Sequence, residues 1–263
     1  MDIIDVLSPA PKGSIFDTHA HYDDERFDGI RDELLSQLPE MGVGAVINCA
    51  VDLESAKQVL AIREKHPFCY CAVGFHPENM PDCEPQLDEL RKAAEAEGVV
   101  AIGEIGLDYY WDKSRTELQK RWFEAQLELA HELSLPAIIH DREAHGDTLT
   151  ILKKHKPHGV LHCFSGSAEM AAEVLKIGMY IGVGGVSTFK NAKTVLEVIK
   201  LTPLERILLE TDAPYLAPEP YRGKTCHSGM IIRVAEKIAE IKNISINEVL
   251  SVTRKNAKAL FGI

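Results

Sequence analysis

The 263-residue sequence lacks the features of several broad classes of protein. No apolar run approaches the roughly 20 residues that cross a bilayer. The start of the chain, MDIIDVLSPAPKGS, has no basic segment followed by an apolar one, so we expect no signal peptide and no association with a membrane. The formal net charge of −11 argues against a broad nucleic-acid-binding surface, but it is compatible with a small basic site inside an acidic shell.

A disulfide framework is also missing from the sequence. The six cysteines are scattered along a chain that is long enough to form its own core, and several lie in apolar, strand-like runs. We therefore expect reduced, buried thiols, which favours a cytoplasmic protein. Cys69 and Cys71, at the start of one such run, are assigned to the core.

What the sequence does contain is an alternation of short apolar runs and segments with helical periodicity. Helices are predicted over 114–133 and 167–177, and two further helical segments, 227–242 and 245–261, begin at or next to a serine that suits an N-cap. Strands are predicted in eight apolar runs: 14–21, 44–50, 69–77, 99–108, 136–142, 159–166, 178–185 and 206–214.

Eight strands, each followed by a helical segment, are what a single-domain (β/α)8 barrel requires. We predict an α/β fold of this kind over residues 14–263, with an N-terminal extension at residues 1–13. A doubly wound open sheet is the competing architecture, but the first predicted strand is not followed by a Gly-rich phosphate-binding fingerprint.

Polar side chains in the predicted strands are concentrated at the C-terminal ends. In a barrel these ends open onto one face, so residues distant in sequence would meet there. The set comprises His19, His21, His76, Glu104, His140, His162 and Asp212. Any one of them could be a satisfied polar group of the core, but burying the set without a metal ion would carry a large desolvation cost. The pattern therefore predicts a metal centre.

The same segments carry motifs that resemble those of the TatD-like metal-dependent deoxyribonucleases, a branch of the amidohydrolase superfamily. In chain order they are DTHAHYD, GFHPE, GEIGLDYY, IHDREA, HCFSG and LLETDAPYLAP followed by RGK. The resemblance covers residues 14–263 and implies a TIM barrel with a centre for two divalent metal ions.

The resemblance also implies a role for each member of the centre. One ion would be held by His19, His21 and Asp212, the other by His140 and His162, with Glu104 bridging both. Glu104 and Asp212 would be the catalytic residues, and Asp212 would accept the proton of the attacking water. The family's nucleases are associated with Mg, whereas four imidazoles favour Zn, Mn, Ni or Co, so the identity of the ions stays open.

The residues around Glu104 favour the nuclease branch. Superfamily relatives often bridge their metals with a carboxylated lysine, but the fourth predicted strand has no lysine in its apolar run, and Glu104 takes that position. The glycines of IGEIG leave backbone room for this carboxylate to approach two cations. Asp17, on the same strand face as His19, is expected to orient a metal-binding histidine.

Five residues are predicted to bind substrate: His76, Tyr109, Arg142, Arg222 and Lys224. His76 is expected to face the substrate rather than the metals. The three cationic residues could clamp a phosphate, although they could equally be solvated loop charges. Tyr109, with the two aromatic residues that follow it, could stack a base or pack as a lid.

The chain departs from the family pattern after RGK. The family usually continues with an Asn-Glu-Pro run, but here the sequence is Thr225, Cys226, His227 and Ser228. Cys226 and His227 are therefore expected near the mouth of the barrel, where they would affect the positioning of substrate.

The sequence as a whole predicts a cytoplasmic, monomeric, divalent-metal-dependent hydrolase of phosphodiester bonds. The favoured activity is that of a TatD-like, 3′–5′ exonuclease-like DNase that acts on DNA ends or short single strands. The alternative is a deacylase-like hydrolase of an ester or amide on the same centre. A binding protein without metal is a third hypothesis, and the presence of all six ligands argues against it. The sequence leaves open whether DNA or RNA is the substrate.

Overall fold

Eight parallel strands pair in chain order in the computed structural model, which describes residues 10–263. The strands β1 to β8 are Ile15–Ala20, Val43–Cys49, Cys69–Val73, Val99–Asp108, Ala137–Arg142, Gly159–Leu161, Tyr180–Val183 and Ile207–Leu209. The chain beyond β8 returns to β1, because Ala213 pairs in parallel with Ala20 and the Thr18 hydroxyl donates to the Leu209 carbonyl at 3.1 Å. The predicted (β/α)8 barrel is thereby confirmed.

Helices connect the strands and cover the barrel. The helices α1 to α9 are Arg31–Gln37, Leu53–Lys65, Asp88–Ala94, Thr116–Leu133, His145–His155, Ala168–Ile177, Lys193–Leu201, Ile231–Lys242 and Ile246–Phe261. Within residues 10–263, no helix combines the length and the apolar character needed to span a bilayer.

Of the two predicted serine caps, the one at Ser245 is confirmed and the other is not, and Ser167 provides a cap that was not predicted. Ser167 begins α6 by accepting the N–H of Met170, and Ser245 begins α9 in the same way. The serine cap predicted for the segment 227–242 is wrong. Ser228 instead starts a short 3-10 helix, and α8 begins after Met230 without a side-chain cap.

The barrel interior is apolar at the N-terminal end of its strands. One hydrophobic cluster takes a buried residue from every strand and also includes the end of α9, where Phe261 lies 6.3 Å from the ring of Phe16. Helix α9 therefore closes this end of the barrel. Side chains at the C-terminal strand ends are left to form the site, as is usual for this architecture.

Three strands end well before their predicted C-terminal bounds, and this places some site residues in loops. β3, β6 and β8 end at Val73, Leu161 and Leu209, whereas the apolar patterns extended to 77, 166 and 214. The backbone leaves the sheet in two of these segments through left-handed conformations, at Cys163 (φ 44°) and Asp212 (φ 67°). Apolar and glycine-rich composition continued past the last paired residue, and composition alone cannot show where the backbone turns.

The predicted N-terminal extension is only partly within the described residues. Residues 1–9 lie outside them. Ala10 is buried, and its N–H donates to the Met41 carbonyl at 3.2 Å. A side chain at Gly42 would collide with Ala10, so this part of the segment packs directly against the barrel.

The cysteines of the described chain are all free, but the expectation that they are buried fails at Cys83, which is exposed, and at Cys163, which is partly buried. Cys69 and Cys71 are completely buried in the core, which confirms their assignment. Cys49 is also buried, but its sulfur contacts a residue of the candidate site described below.

Candidate metal centre

The barrel brings all six predicted metal ligands together at the C-terminal end of its strands. They come from β1 and the residue after it, from β4 and β5, and from the loops after β6 and β8: His19, His21, Glu104, His140, His162 and Asp212. Potential ligand atoms from these residues and from His76 form three overlapping groups, and within each group all atoms lie within 4.8 Å of one another. The groups share Glu104 or His19, so they form one continuous cluster.

Glu104 lies at the centre of the cluster, and its two oxygens face different histidines. Oε2 is 3.3 Å from His19 Nε2 and 3.4 Å from His21 Nε2. Oε1 is 2.8 Å from both His140 Nδ1 and His162 Nε2. A carboxylate in this arrangement has one oxygen available for each of two cations.

On the Oε2 side, nitrogen and oxygen atoms converge on one point. His19 Nε2 and His21 Nε2 are 3.0 Å apart, and Asp212 Oδ1 is 3.6 and 3.5 Å from them. Two imidazole nitrogens bound to one ion at about 2.0–2.1 Å in tetrahedral geometry would be roughly 3.3 Å apart. The observed separation therefore suits a shared cation.

The second ring nitrogen of each histidine faces outward and has a neighbour of its own. His19 Nδ1 lies 3.4 Å from the Cys49 sulfur, and His21 Nδ1 lies 2.8 Å from the Cys49 carbonyl oxygen. His140 Nε2 lies 3.1 Å from an oxygen of Asp108. Such outer partners fix the orientation of a metal-binding imidazole and adjust its basicity.

Glu210 is the corresponding neighbour of His162, at 3.8 Å from its Nδ1. This carboxylate is buried, accepts the backbone N–H of Cys163, and has a pKa that burial raises to about 7. A side chain at Gly182 would overlap the Glu210 carboxylate, so the absence of a Cβ on β7 makes room for this residue.

Sequence reasoning missed Asp108 and Glu210, although both belong to motifs that were recognised. Asp108 ends GEIGLD and Glu210 precedes Thr-Asp in LLETD. Each is an acidic residue at the end of an apolar run, which was the criterion that selected Glu104 and Asp212. The signal that could have found them was therefore present.

The glycines around Glu104 were expected to leave room for the carboxylate to approach two cations, but the space that they leave is occupied by β5. A Cβ at Gly103 would meet the side chain of Ile138, and a Cβ at Gly106 would overlap the carbonyl of His140. Both missing side chains thus allow β4 to lie close against β5. This close approach is what brings Glu104 next to His140.

Asp17 is buried as expected, but it does not contact the ring of a histidine. Its Oδ1 accepts the backbone N–H groups of His19 (3.2 Å) and Thr211 (3.1 Å), and its Oδ2 accepts the Thr211 hydroxyl (2.7 Å). Asp17 therefore joins the backbone of β1 to that of the segment carrying Asp212. The expected role as a partner of an imidazole belongs instead to Cys49.

His76 also differs from the expectation, because it lies within the cluster. Its Nε2 is 3.8 Å from Glu104 Oε1, and its ring packs edge-on against His140 with the centroids 4.5 Å apart. Burial, followed by the charge of His140, lowers the pKa of His76 to about 3. A neutral imidazole beside Oε1 is a further potential ligand on that side.

The electrostatics of the cluster favour ionised carboxylates and a mixture of imidazole states. Burial would raise the pKa of Glu104, but His162 and the other imidazoles hold it well below its usual range. Burial likewise acts to raise the pKa of Asp212, but the hydrogen bond with His21 and the charges of the neighbouring imidazoles together outweigh it, so this pKa is also lowered. Burial lowers the pKa of His19 to about 4. The cluster thus offers anionic oxygens and a neutral imidazole, the forms that bind cations.

Tyr109 is partly buried, and its predicted role in substrate binding stays a prediction. Its hydroxyl donates to Asp147 of α5 at 2.8 Å, and its ring packs against the core. The two aromatic residues that follow are the exposed ones. Tyr110 is 55% and Trp111 63% exposed.

The three predicted phosphate-binding cations occupy exposed loops or strand ends and rest on aromatic rings. The Arg142 guanidinium carbon is 3.9 Å from the ring centroid of Tyr110. Arg222 lies over Phe189 at 4.4 Å, and the Lys224 amine lies 5.6 Å from the ring of Tyr221. Only Arg142 is tied to the cluster by short backbone separation, since it follows the ligand His140 by two residues.

Cys226 and His227 lie in the interior rather than on the surface of the mouth, and their expected effect on the positioning of substrate stays a prediction. Both are buried, and the N–H of Cys226 donates to the Pro214 carbonyl at 2.9 Å. The following Ser228 exchanges hydrogen bonds with the buried hydroxyl of Tyr22. The departure from the family pattern therefore changes packing behind the site rather than its surface.

Comparisons with known proteins agree with this geometry. A family model described as "TatD related DNase" matches residues 16–262. An "uncharacterized metal-dependent hydrolase", YabD of Bacillus subtilis, is 42% identical over 253 residues, which cover 95% of this chain and 99% of that protein. The "3′-5′ ssDNA/RNA exonuclease TatD" of Erwinia amylovora is 33% identical, with coverage of 95% and 100%.

A solved structure shows the same fold. The crystal structure of YjjV, a TatD homologue from Escherichia coli, superposes with a TM-score of 0.89 at 34% identity, covering 95% of this chain and 99% of that one.

Proposed function

The chain belongs to the TatD-related DNase family and is a metal-dependent hydrolase, and we propose that it hydrolyses phosphodiester bonds in nucleic acid as a 3′–5′ exonuclease-like DNase. The observation that carries the proposal is the position of Glu104, whose two oxygens face separate sets of imidazoles. Support for nucleic acid as the substrate comes from the family and from the named activity of the Erwinia relative.

The residues present fit two divalent ions. His19, His21 and Asp212 would hold one ion, His140 and His162 the other, and Glu104 would contribute one oxygen to each. Outer partners on both sides hold the imidazoles in orientation. When bound, two such ions would polarise the phosphate and lower the pKa of water. Zn, Mn, Ni, Co and Mg are all candidates on this donor set.

Asp212 is the residue that accepts the proton of the attacking water in this proposal. Its side chain is 21% exposed, whereas that of Glu104 is 4% exposed, so Asp212 is the carboxylate of the pair that a solvent molecule can reach. Its pKa is lowered, so it is ionised at neutral pH and able to accept a proton. The left-handed backbone at Asp212 is the kind of strained conformation found at functional sites.

The charge distribution favours short substrates and strand ends. The net charge is −11, and the cations near the mouth identified above are few. An acidic protein with few cations near its mouth gains little from the interior of a long duplex, because non-specific affinity for DNA comes from neutralised phosphates.

The test is to assay the purified, metal-reconstituted protein on end-labelled single-stranded DNA, RNA and simple carboxylic esters side by side. Each of Zn, Mn, Mg, Ni and Co is supplied separately, and a chelated sample is the control. We expect progressive shortening of the DNA with at least one metal and none with chelator. Hydrolysis of the esters without cleavage of either nucleic acid would instead establish the deacylase-like alternative.

A further inference from the structure

Two exposed aromatic side chains stand beside the metal cluster with an arginine against them. Tyr110 and Trp111 follow β4, and their rings pack edge to face with centroids 4.8 Å apart. The guanidinium of Arg142 lies 3.9 Å from the centre of the Tyr110 ring and 5.3 Å from that of Trp111. An indole that is 63% exposed has a broad face open to solvent.

The position of this group relative to the cluster is set by Asp108. One oxygen of Asp108 accepts the backbone N–H of Tyr110 at 2.8 Å and that of Trp111 at 3.3 Å. The other oxygen lies 3.1 Å from Nε2 of the candidate ligand His140. A single buried carboxylate therefore fixes both an imidazole of the metal centre and the start of the aromatic loop.

Arg142 is held on the other edge of the group. It pairs in register with Asp108 across β4 and β5, and it follows His140 on the same strand. Within residues 10–263 no acidic side chain forms an ion pair with its guanidinium, which lies over the two rings. Stacking on a ring leaves the N–H groups at the edge of the guanidinium available to an anion.

We infer that Tyr110, Trp111 and Arg142 form a subsite for one unpaired nucleobase and its neighbouring phosphate, next to the bond to be cut. This inference rests on the proposed function and names the part of the substrate that the site recognises. The aromatic rings stack the base, which any base permits because each has a planar π-face. Arg142 contacts the phosphate, and the fixed loop holds the terminal nucleotide beside the metal cluster.

The test measures the binding of short phosphorothioate single strands, which resist hydrolysis, to the metal-reconstituted protein. Two oligonucleotides are compared, one complete and one whose terminal nucleotide is abasic. Binding is followed by anisotropy of a dye on the distal end and by Trp fluorescence, in which the buried Trp122 serves as a constant background. We expect the complete strand to quench the fluorescence of Trp111.

Substitution then assigns the effect to the subsite. Trp111→Ala should weaken binding of the complete strand by about 10- to 100-fold and that of the abasic strand by less than about 2-fold. Trp111→Phe should restore most of the affinity. The matched control is Leu201→Ala, which removes another exposed apolar side chain, 64% exposed, at the end of α7. It should leave both affinities unchanged.

Three outcomes would overturn the inference. Equal affinities of wild type and Trp111→Ala for the complete strand, with DNA still cleaved, would overturn the subsite and leave the proposed function standing. Equal losses for the complete and abasic strands would show that Trp111 does not contact a base. Failure of the wild type to bind or cut any nucleic acid would overturn the subsite and the proposed function together.

Discussion

The two sides of Glu104 contain similar residues, but their negatively charged groups are placed differently. On the Oε2 side, His19 and His21 have the neutral sulfur and carbonyl oxygen of Cys49 as outer neighbours, and the carboxylate of Asp212 faces the cluster directly. On the Oε1 side, the outer neighbours of the histidines are themselves carboxylates, those of Asp108 and Glu210. Negative charge therefore lies inside the cluster on one side and behind it on the other.

The difference suggests a division of labour within the proposed centre. A carboxylate behind an imidazole makes that imidazole a more basic ligand and so strengthens the hold on a cation. A carboxylate in the cluster that reaches solvent can also exchange a proton with water. We therefore expect the Oε1 side to depend on outer carboxylates for metal affinity, and the Oε2 side to carry the proton transfer.

The largest effect should come from Glu104→Gln, which changes both sides at once. Each ion loses an anionic oxygen, so we expect weaker binding of both ions and activity lower by at least about 10³-fold, since removal of one electrostatic group alone costs about 10²–10³-fold. Metal content by elemental analysis and cleavage of labelled DNA measure the two effects. Glu64→Gln, which changes an exposed acid on α2, is the matched control. A Glu104→Gln protein with two tightly bound ions would contradict the bridging role.

Asp212→Asn should affect the two sides of Glu104 differently. An amide cannot accept the proton of the attacking water, so we expect turnover to fall by about 10²–10⁴-fold. The ion on the Oε1 side should be retained, because its ligands are unchanged. Asp24→Asn, in which a partly buried acid that accepts the Tyr215 hydroxyl is replaced, should behave as wild type. Near-normal turnover of metal-replete Asp212→Asn would place the base elsewhere.

Asp108→Asn should weaken one ion only. Loss of the charge behind His140 is expected to reduce affinity on the Oε1 side by about 10- to 100-fold and to leave the other ion unchanged. Stepwise calorimetric titration of the metal-free protein resolves the two affinities. Cys49→Ala is the matching change on the Oε2 side, and it should cost less, because the carbonyl that faces His21 belongs to the backbone. Equal losses of metal affinity in Asp108→Asn and Cys49→Ala would contradict the proposed difference between the two sides of Glu104.

His227→Leu should have the smallest effect on the centre and should instead change the acid sensitivity of the fold. His227 is buried, neither of its ring nitrogens has a hydrogen-bond partner among the described residues, and burial lowers its pKa from 6.5 to about 4. The unfolded chain therefore binds a proton at this residue from about pH 6.5 downward and the folded protein only near pH 4, so stability falls as the pH falls through this window.

The leucine variant should lack that loss. We expect the wild type to lose up to about 3 kcal/mol of unfolding free energy relative to the variant between pH 6.5 and 4, since one pKa unit corresponds to about 1.4 kcal/mol. Denaturant unfolding of the metal-free proteins at several pH values measures the difference, and metal affinities at pH 7 should be equal. A difference that does not change with pH would show that His227 is not buried in its neutral form.

The sequence by itself was enough to predict the barrel and to predict that the six candidate ligands lie at one end of it. Alternating apolar runs and helical segments specify which stretches pair and which cover the sheet, and polar residues at strand ends can be recognised without coordinates. Glu104, at the C-terminal part of one apolar run, and His140, at that of the next, were therefore predicted to meet, and in the structure they do.

Only the tertiary structure decided what surrounds the ligands. Tyr109 and Tyr110 are adjacent and chemically identical, yet the hydroxyl of Tyr109 donates a hydrogen bond to Asp147 and the side chain of Tyr110 is exposed. Cys226 and His227 follow a charged loop but turn into the interior. The direction of a side chain beyond a strand end depends on contacts with segments distant in sequence, such as the hydrogen bond from Tyr109 to Asp147 of α5. The regular period that encodes the faces of strands and helices stops where those elements end, so these outer contacts follow from packing alone.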